Sequence, residues 1–136
     1  MSSIISAGLK KQVAERALFR CEYCKLNEAV SFYTYHVDHI KSSKHKGLSV
    51  FQNLAYACPD CNFYKGSDLG TFVKDDEHLT RFFNPRIDEW HDHFEIQDGY
   101  IQGKTSIGEA TALIFRFNDP DRLIFRKELS ALSLYP

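Results

Sequence analysis

Asp38 and His39 stand side by side, Asn53 and Asn62 follow, and two Cys-x-x-Cys pairs, Cys21/Cys24 and Cys58/Cys61, bracket the set. Imidazole is the side chain whose ordinary titration lies nearest neutral pH, so His39 is the natural candidate for a general base. Asp38 and Asn62 offer hard oxygen donors, which suit Mg²⁺ or Mn²⁺ better than zinc. Asn53 can only donate and accept hydrogen bonds, which is a positioning task. Each has an ordinary reading as well. An Asp-His pair is common at surfaces and caps, and Asn is a common turn residue. Their joint occurrence inside one cysteine-bracketed segment is what points to chemistry.

Each Cys-x-x-Cys spacing forms a knuckle that turns two sulfurs toward one tetrahedral ion, and two knuckles complete four ligands. A redox pair or a disulfide is the alternative, but a redox motif has no need of a second copy. The expectation is a structural Zn²⁺ held by Cys21, Cys24, Cys58 and Cys61, with no coordination position left for substrate. The separation of Cys24 from Cys58 requires an inserted substructure between the knuckles.

The elements that would position these residues follow from periodicity. Ser6 caps a helix over residues 7–19, with Leu9, Val13, Ala14, Ala17 and Leu18 as its apolar stripe. Residues 31–40 are rich in aromatic and β-branched side chains and predict a strand. Asp38 and His39 then point to opposite faces unless the strand ends there, and His36 shares the face of Asp38. Residues 41–47 form a basic loop, 48–57 a short extended segment, and 60–65 a knuckle that opens a helix stopped near Gly66. Beyond them lie an acidic solvated run (Asp75-Asp76-Glu77), a helix over 85–93 and a hairpin around Asp98-Gly99. A capping box, Ser106-x-x-Glu109, opens a helix carrying Ile107, Ala110, Ile114 and Phe117. A last helix opens at Asp119-Pro120 and carries Leu123, Ile124 and Phe125.

The chain has 136 residues and a net charge of −1. That average conceals an asymmetry. Residues 1–66 carry nine Lys/Arg against five Asp/Glu, a balance of +4, whereas residues 67–136 carry eight against thirteen, a balance of −5. The cysteine-bracketed half is the one that attracts a polyanion. Its candidate nucleic-acid contacts are His36, Lys41, Lys44, His45, Lys46 and Lys65, with the four lysines as the candidates for phosphate. The acidic half offers a surface for a partner protein. No apolar run reaches membrane-spanning length, and a cytoplasmic protein without membrane association is expected.

Cys21-Glu-Tyr-Cys24, Val37-Asp-His-Ile40, Asn53-Leu-Ala-Tyr-Ala-Cys58 and Cys58-Pro-Asp-Cys-Asn62, ending in Lys65-Gly66, resemble the HNH endonuclease family. The resemblance covers residues 8–66. It implies an α+β fold with a ββα-metal (His-Me finger) core stapled by the four-cysteine zinc site. Around that core the periodicity read above places an N-terminal helix and a C-terminal helix and hairpin extension. The whole is expected as one domain, with the core at 8–66 and the extension at 67–136. A looser likeness to small bacterial HNH proteins extends through Arg81-Phe-Phe-Asn-Pro-Arg86, Trp90-His-Asp-His-Phe94 and Thr105-Ser-Ile-Gly-Glu-Ala-Thr111.

The resemblance assigns His39 as general base, Asp38 and Asn62 as ligands of a catalytic divalent ion, and Asn53 as the brace of the loop behind His39. Asn62 stands where the last His of the family motif would be. The loop reads His45-Lys46-Gly47 where the subgroup usually carries His-Gly-Gly. The implied reaction is hydrolysis of phosphodiester bonds in DNA, most naturally double-stranded, leaving 5′-phosphate and 3′-hydroxyl ends. The rival from another class is a non-catalytic zinc-dependent module that binds DNA or protein. It needs only the cysteines and the basic surface, and leaves the ordered Asp38-His39, Asn53 and Asn62 without a purpose.

Overall fold

A computed structural model describes residues 5–136. The chain divides into two compact units, with the boundary between Leu69 and Gly70. Both mix short helices with two-stranded antiparallel sheets, so the α+β expectation holds. No helix among the described residues is long and apolar enough to cross a membrane.

In the first unit, helix α1 (Ala7–Arg16) is capped by Ser6, whose hydroxyl accepts from the Leu9 amide at 3.1 Å. It buries Val13 and Ala14. The helix is shorter than the apolar stripe predicts. Leu18 and Phe19 both adopt left-handed backbone angles (φ 55° and 58°), and Leu18 is 75% exposed. The Phe19 amide bonds back to the Ala14 carbonyl at 3.0 Å. This closure turns the chain out of the helix and into the first knuckle, where a continued helix could not go.

Strand β1 (His36–His39) pairs antiparallel with β2 (Leu54–Ala57), with Asp38 opposite Ala55 and His39 opposite Leu54. The strand is confined to the last part of the predicted 31–40 segment. Phe32 and Tyr33 are exposed and outside it, and the Tyr35 amide is fixed by Glu28 Oε2 at 2.8 Å. Every residue of β2 is buried. Helix α2 (Pro59–Lys65) follows at once, with Pro59 at its first position, where a missing N–H costs nothing. Gly66 ends it at a positive φ of 52°. Two strands and a helix thus follow one another within residues 36–65. Arg16 ties α1 to this core through the carbonyls of Phe51 and Leu54, with its guanidinium 3.8 Å from the centre of the Phe51 ring.

The second unit contains β3 (Gly70–Thr71) paired with β4 (Thr80–Arg81), α3 (Trp90–His93), the hairpin of β5 (Phe94–Gln97) and β6 (Tyr100–Gly103), α4 (Ser106–Ile114) and α5 (Pro120–Ala131). The hairpin turns on Asp98 and Gly99, both at positive φ, as the Asp-Gly signal predicts. Two expectations are corrected. Only residues 90–93 of the 85–93 segment are helical, because side chains close the preceding turns. Asp88 Oδ2 accepts from the Asn84 amide at 2.9 Å, and Asn84 Oδ1 accepts from the Arg86 amide at 2.9 Å. The cap of α4 is Thr105, not Ser106; Thr105 Oγ1 accepts from the Gly108 amide at 3.1 Å. The core holds Phe82, Phe83, Trp90, Phe94, Phe115 and Phe117. The buried Arg126 of α5 donates from Nε to the Gly99 carbonyl at 2.7 Å, fastening the helix to the hairpin turn.

Candidate metal centre and active site

Cys21, Cys24, Cys58 and Cys61 are all buried, and their Sγ atoms lie within 4.8 Å of one another. The Cys24 and Cys58 sulfurs are 3.7 Å apart. A tetrahedron of thiolates at ~2.3 Å from zinc has edges of about 3.8 Å, so the spacing fits such an ion. Both knuckles carry the same amide-to-sulfur bond. The Cys24 amide donates to Cys21 Sγ, and the Cys61 amide to Cys58 Sγ, both at 3.4 Å. Lys25 takes a left-handed conformation (φ 69°) to close the first turn, and its amide bonds to the Cys21 carbonyl. Contacts with the Cys21 and Cys24 sulfurs, together with burial, push the Cys58 thiol up; burial, then the same neighbours, raise Cys61. Four sulfurs this close need a cation to become thiolates together. Among the described residues this is the single group of three or more His, Cys, Asp or Glu side chains arranged for a metal.

His39 ends β1 half-buried, with Nε2 2.8 Å from Ser49 Oγ. If Nε2 carries the proton and donates to the Ser49 hydroxyl, Nδ1 is left as the basic nitrogen. The loop behind it is held by Asn53. Asn53 Oδ1 accepts from the Lys41 amide at 3.0 Å, and Nδ2 donates to the carbonyls of Lys41 and Leu48, both at 2.9 Å. One amide side chain therefore fastens both ends of the 41–48 loop. Gly47 allows this closure, since a Cβ there would fall 1.6 Å from the Lys41 carbonyl oxygen. Lys46 has φ 68°, a left-handed conformation that a glycine adopts without strain.

Asp38 is 5% exposed and points inward. The Tyr23 hydroxyl donates to its Oδ2 at 2.9 Å, and the Lys65 ammonium lies 3.3 Å from Oδ1 and 3.2 Å from Oδ2. Lys65 Nζ also donates to the His39 carbonyl at 2.8 Å. Burial is the largest influence on Asp38 and raises its pKa, while Lys65 and Tyr23 pull it the other way. The grouping of Lys65 with the surface phosphate contacts is corrected here. It is 2% exposed, because its charge is matched by Asp38 inside the fold, and it cannot present an ammonium to a phosphate in this arrangement. Lys41, Lys44, His45 and Lys46 are exposed on the loop.

Asn62, half-buried on α2, lines a groove together with the exposed His36. The donor types at Asp38 and Asn62 suit a hard divalent ion, with one condition. The ammonium beside Asp38 must withdraw or tolerate a second cation. Sequence reasoning did not reach Ser49 or Tyr23. Neither carries a motif, and each is found by its distance to a named side chain. In the second unit, His93 has Nδ1 2.6 Å from Thr105 Oγ1 and Nε2 3.9 Å from Asp88, and His78 contacts Asp75 at 3.0 Å.

No curated protein and no solved structure matches the chain. Residues 21–68, from the first cysteine of the metal centre to just past α2, match the model of the HNH endonuclease family.

Proposed function

We propose that this unit is a divalent-ion-dependent DNA endonuclease with His39 as its general base. The observation that carries the reading is the setting of His39. Its Nε2 is held by Ser49, and the loop behind it is fastened by Asn53, in a unit stapled by four cysteines. With Nε2–H donated to Ser49, Nδ1 takes a proton from water. The resulting hydroxide attacks phosphorus in line, the bond to the 3′-oxygen breaks, and that oxygen takes a proton from water. The ends are a 5′-phosphate and a 3′-hydroxyl. A Mg²⁺ or Mn²⁺ ion held by Asp38 and Asn62 would polarise the phosphate and stabilise the leaving oxygen. Asn53 keeps the loop from withdrawing its support. Lys41, Lys44, His45 and Lys46 supply phosphate contacts that position DNA without reading sequence.

The test is nicking of supercoiled plasmid in Mg²⁺ or Mn²⁺. His39→Ala should lower the rate by about two orders of magnitude or more, the usual worth of a general base, with zinc content unchanged. Equal cutting by the variant would remove His39 from this role. Absence of metal-dependent cutting by the wild-type protein would favour a non-catalytic binding module.

A further inference from the structure

A groove of about 630 Å³ opens beside β1. Lys10 and Lys11 of α1 form one part of its wall, His36 and Asn62 another, and the nearly buried Tyr35 and Tyr56 also border it. No carboxylate lines it. Lys10 and Lys11 are exposed, and neither ammonium has an ion-pair partner among the described residues. The two tyrosine rings are fixed. Their centroids are 5.5 Å apart, the Tyr35 hydroxyl donates to the Leu26 carbonyl at 2.9 Å, and that of Tyr56 to Glu28 Oε1 at 2.5 Å. Both rings are nearly buried, so the character of the groove is set by its unpaired positive charge.

A positively charged groove that follows the backbone is one of the features by which proteins hold single nucleic-acid strands. The volume is that of a cleft for a drug-sized ligand, enough for a short stretch of one strand. Asn62, a ligand of the ion in the function proposed above, lines this groove, whereas Asp38 and His39 do not. We infer that the groove binds one DNA strand next to the site of cleavage, with Lys10 and Lys11 on its phosphates. The identification of the strand as DNA rests on the nuclease reading; the groove's affinity for a polyanion does not.

The experiment is fluorescence anisotropy of a labelled single-stranded oligonucleotide with the full-length zinc-loaded protein, without Mg²⁺ or Mn²⁺, over about 50–200 mM salt. Replacing both lysines (Lys10→Ala with Lys11→Ala) should weaken binding. The slope of log K against log salt should become shallower by about 1.4, the value for two lost phosphate contacts on a single strand. Lys74→Ala, at an exposed position of the second unit, should leave the slope as it is. Both lysines are exposed, so zinc content serves to verify that the double variant is folded. An unchanged slope in a folded double variant overturns the inference and leaves the groove to another occupant, such as an acidic peptide. Plasmid nicking separates the two readings. A protein that shows the slope change and never nicks keeps the groove and loses the nuclease. One that nicks with an unchanged slope keeps the nuclease and loses the groove.

Discussion

The Lys65 ammonium lies 3.2 Å from Asp38 Oδ2, with both side chains buried, and so ties α2 to β1 across 27 residues of sequence. The same ammonium bonds to the carbonyl of His39, so one cation touches both residues of the Asp-His pair. It lies within 3.3 Å of both oxygens of Asp38, the residue proposed above to hold a divalent ion.

Lys65→Met should therefore destabilise the first unit by about 3–5 kcal/mol, the usual cost of leaving one member of a buried ion pair alone. Denaturant titration followed by zinc release would measure it. Lys65→Gln, which keeps a donor and removes the charge, should cost less and bind Mn²⁺ more tightly in an electron paramagnetic resonance titration. Weaker Mn²⁺ binding by Lys65→Gln would mean that Lys65 holds Asp38 in place for the ion and does not compete with it.

The four-cysteine centre predicts one zinc per chain by elemental analysis. Cys61→Ser should lose most of that zinc, because a neutral hydroxyl replaces one of four thiolates, and the first unit should unfold with it. Full zinc content in Cys61→Ser would show that three sulfurs suffice and that the centre is not a closed four-thiolate site.

Lys46 holds a left-handed conformation in the loop fastened by Asn53. Lys46→Gly should relieve that strain and stabilise the first unit by about 1 kcal/mol, offset in part by the greater freedom of glycine when unfolded. If Lys46 contacts a phosphate, the same substitution should make the salt slope for duplex DNA shallower by about 0.9. A stabilised variant with an unchanged slope would leave Lys46 as a strained surface residue.

In the second unit, Arg81 donates to both oxygens of Asp88, at 2.7 and 3.0 Å. The guanidinium holds the Asp88 carboxyl below the usual carboxylate range. A carboxyl whose folded pKa is depressed adds stability that is present above its unfolded value near ~3.9 and is lost as pH falls through the folded value. Trp90, the sole tryptophan and buried in this unit, reports its unfolding by fluorescence. Arg81→Gln should lower stability at neutral pH and flatten the loss of stability below about pH 4. An acid limb as steep as the wild type's would show that Asp88 is held by other partners.

The features legible in the sequence are local ones. The cysteine knuckles depend on residues three apart and on the amide-to-sulfur bonds that such spacing permits. The Asp98-Gly99 hairpin, the Ser6 cap and the Pro59 start of α2 are likewise settled within a few residues. The order of Asp38-His39, Asn53 and Asn62 was enough to indicate a family, because it is a pattern along the chain. Tertiary structure decided what lies across the chain from each residue. It buried Lys65 against Asp38, set Ser49 on His39, and joined Lys10 and Lys11 to His36 and Asn62 in one groove. A lysine's type does not reveal whether its charge will meet solvent or a carboxylate. That choice follows from which faces pack together, and here the packing of α2 on β1 turned a candidate surface contact into the buried partner of Asp38.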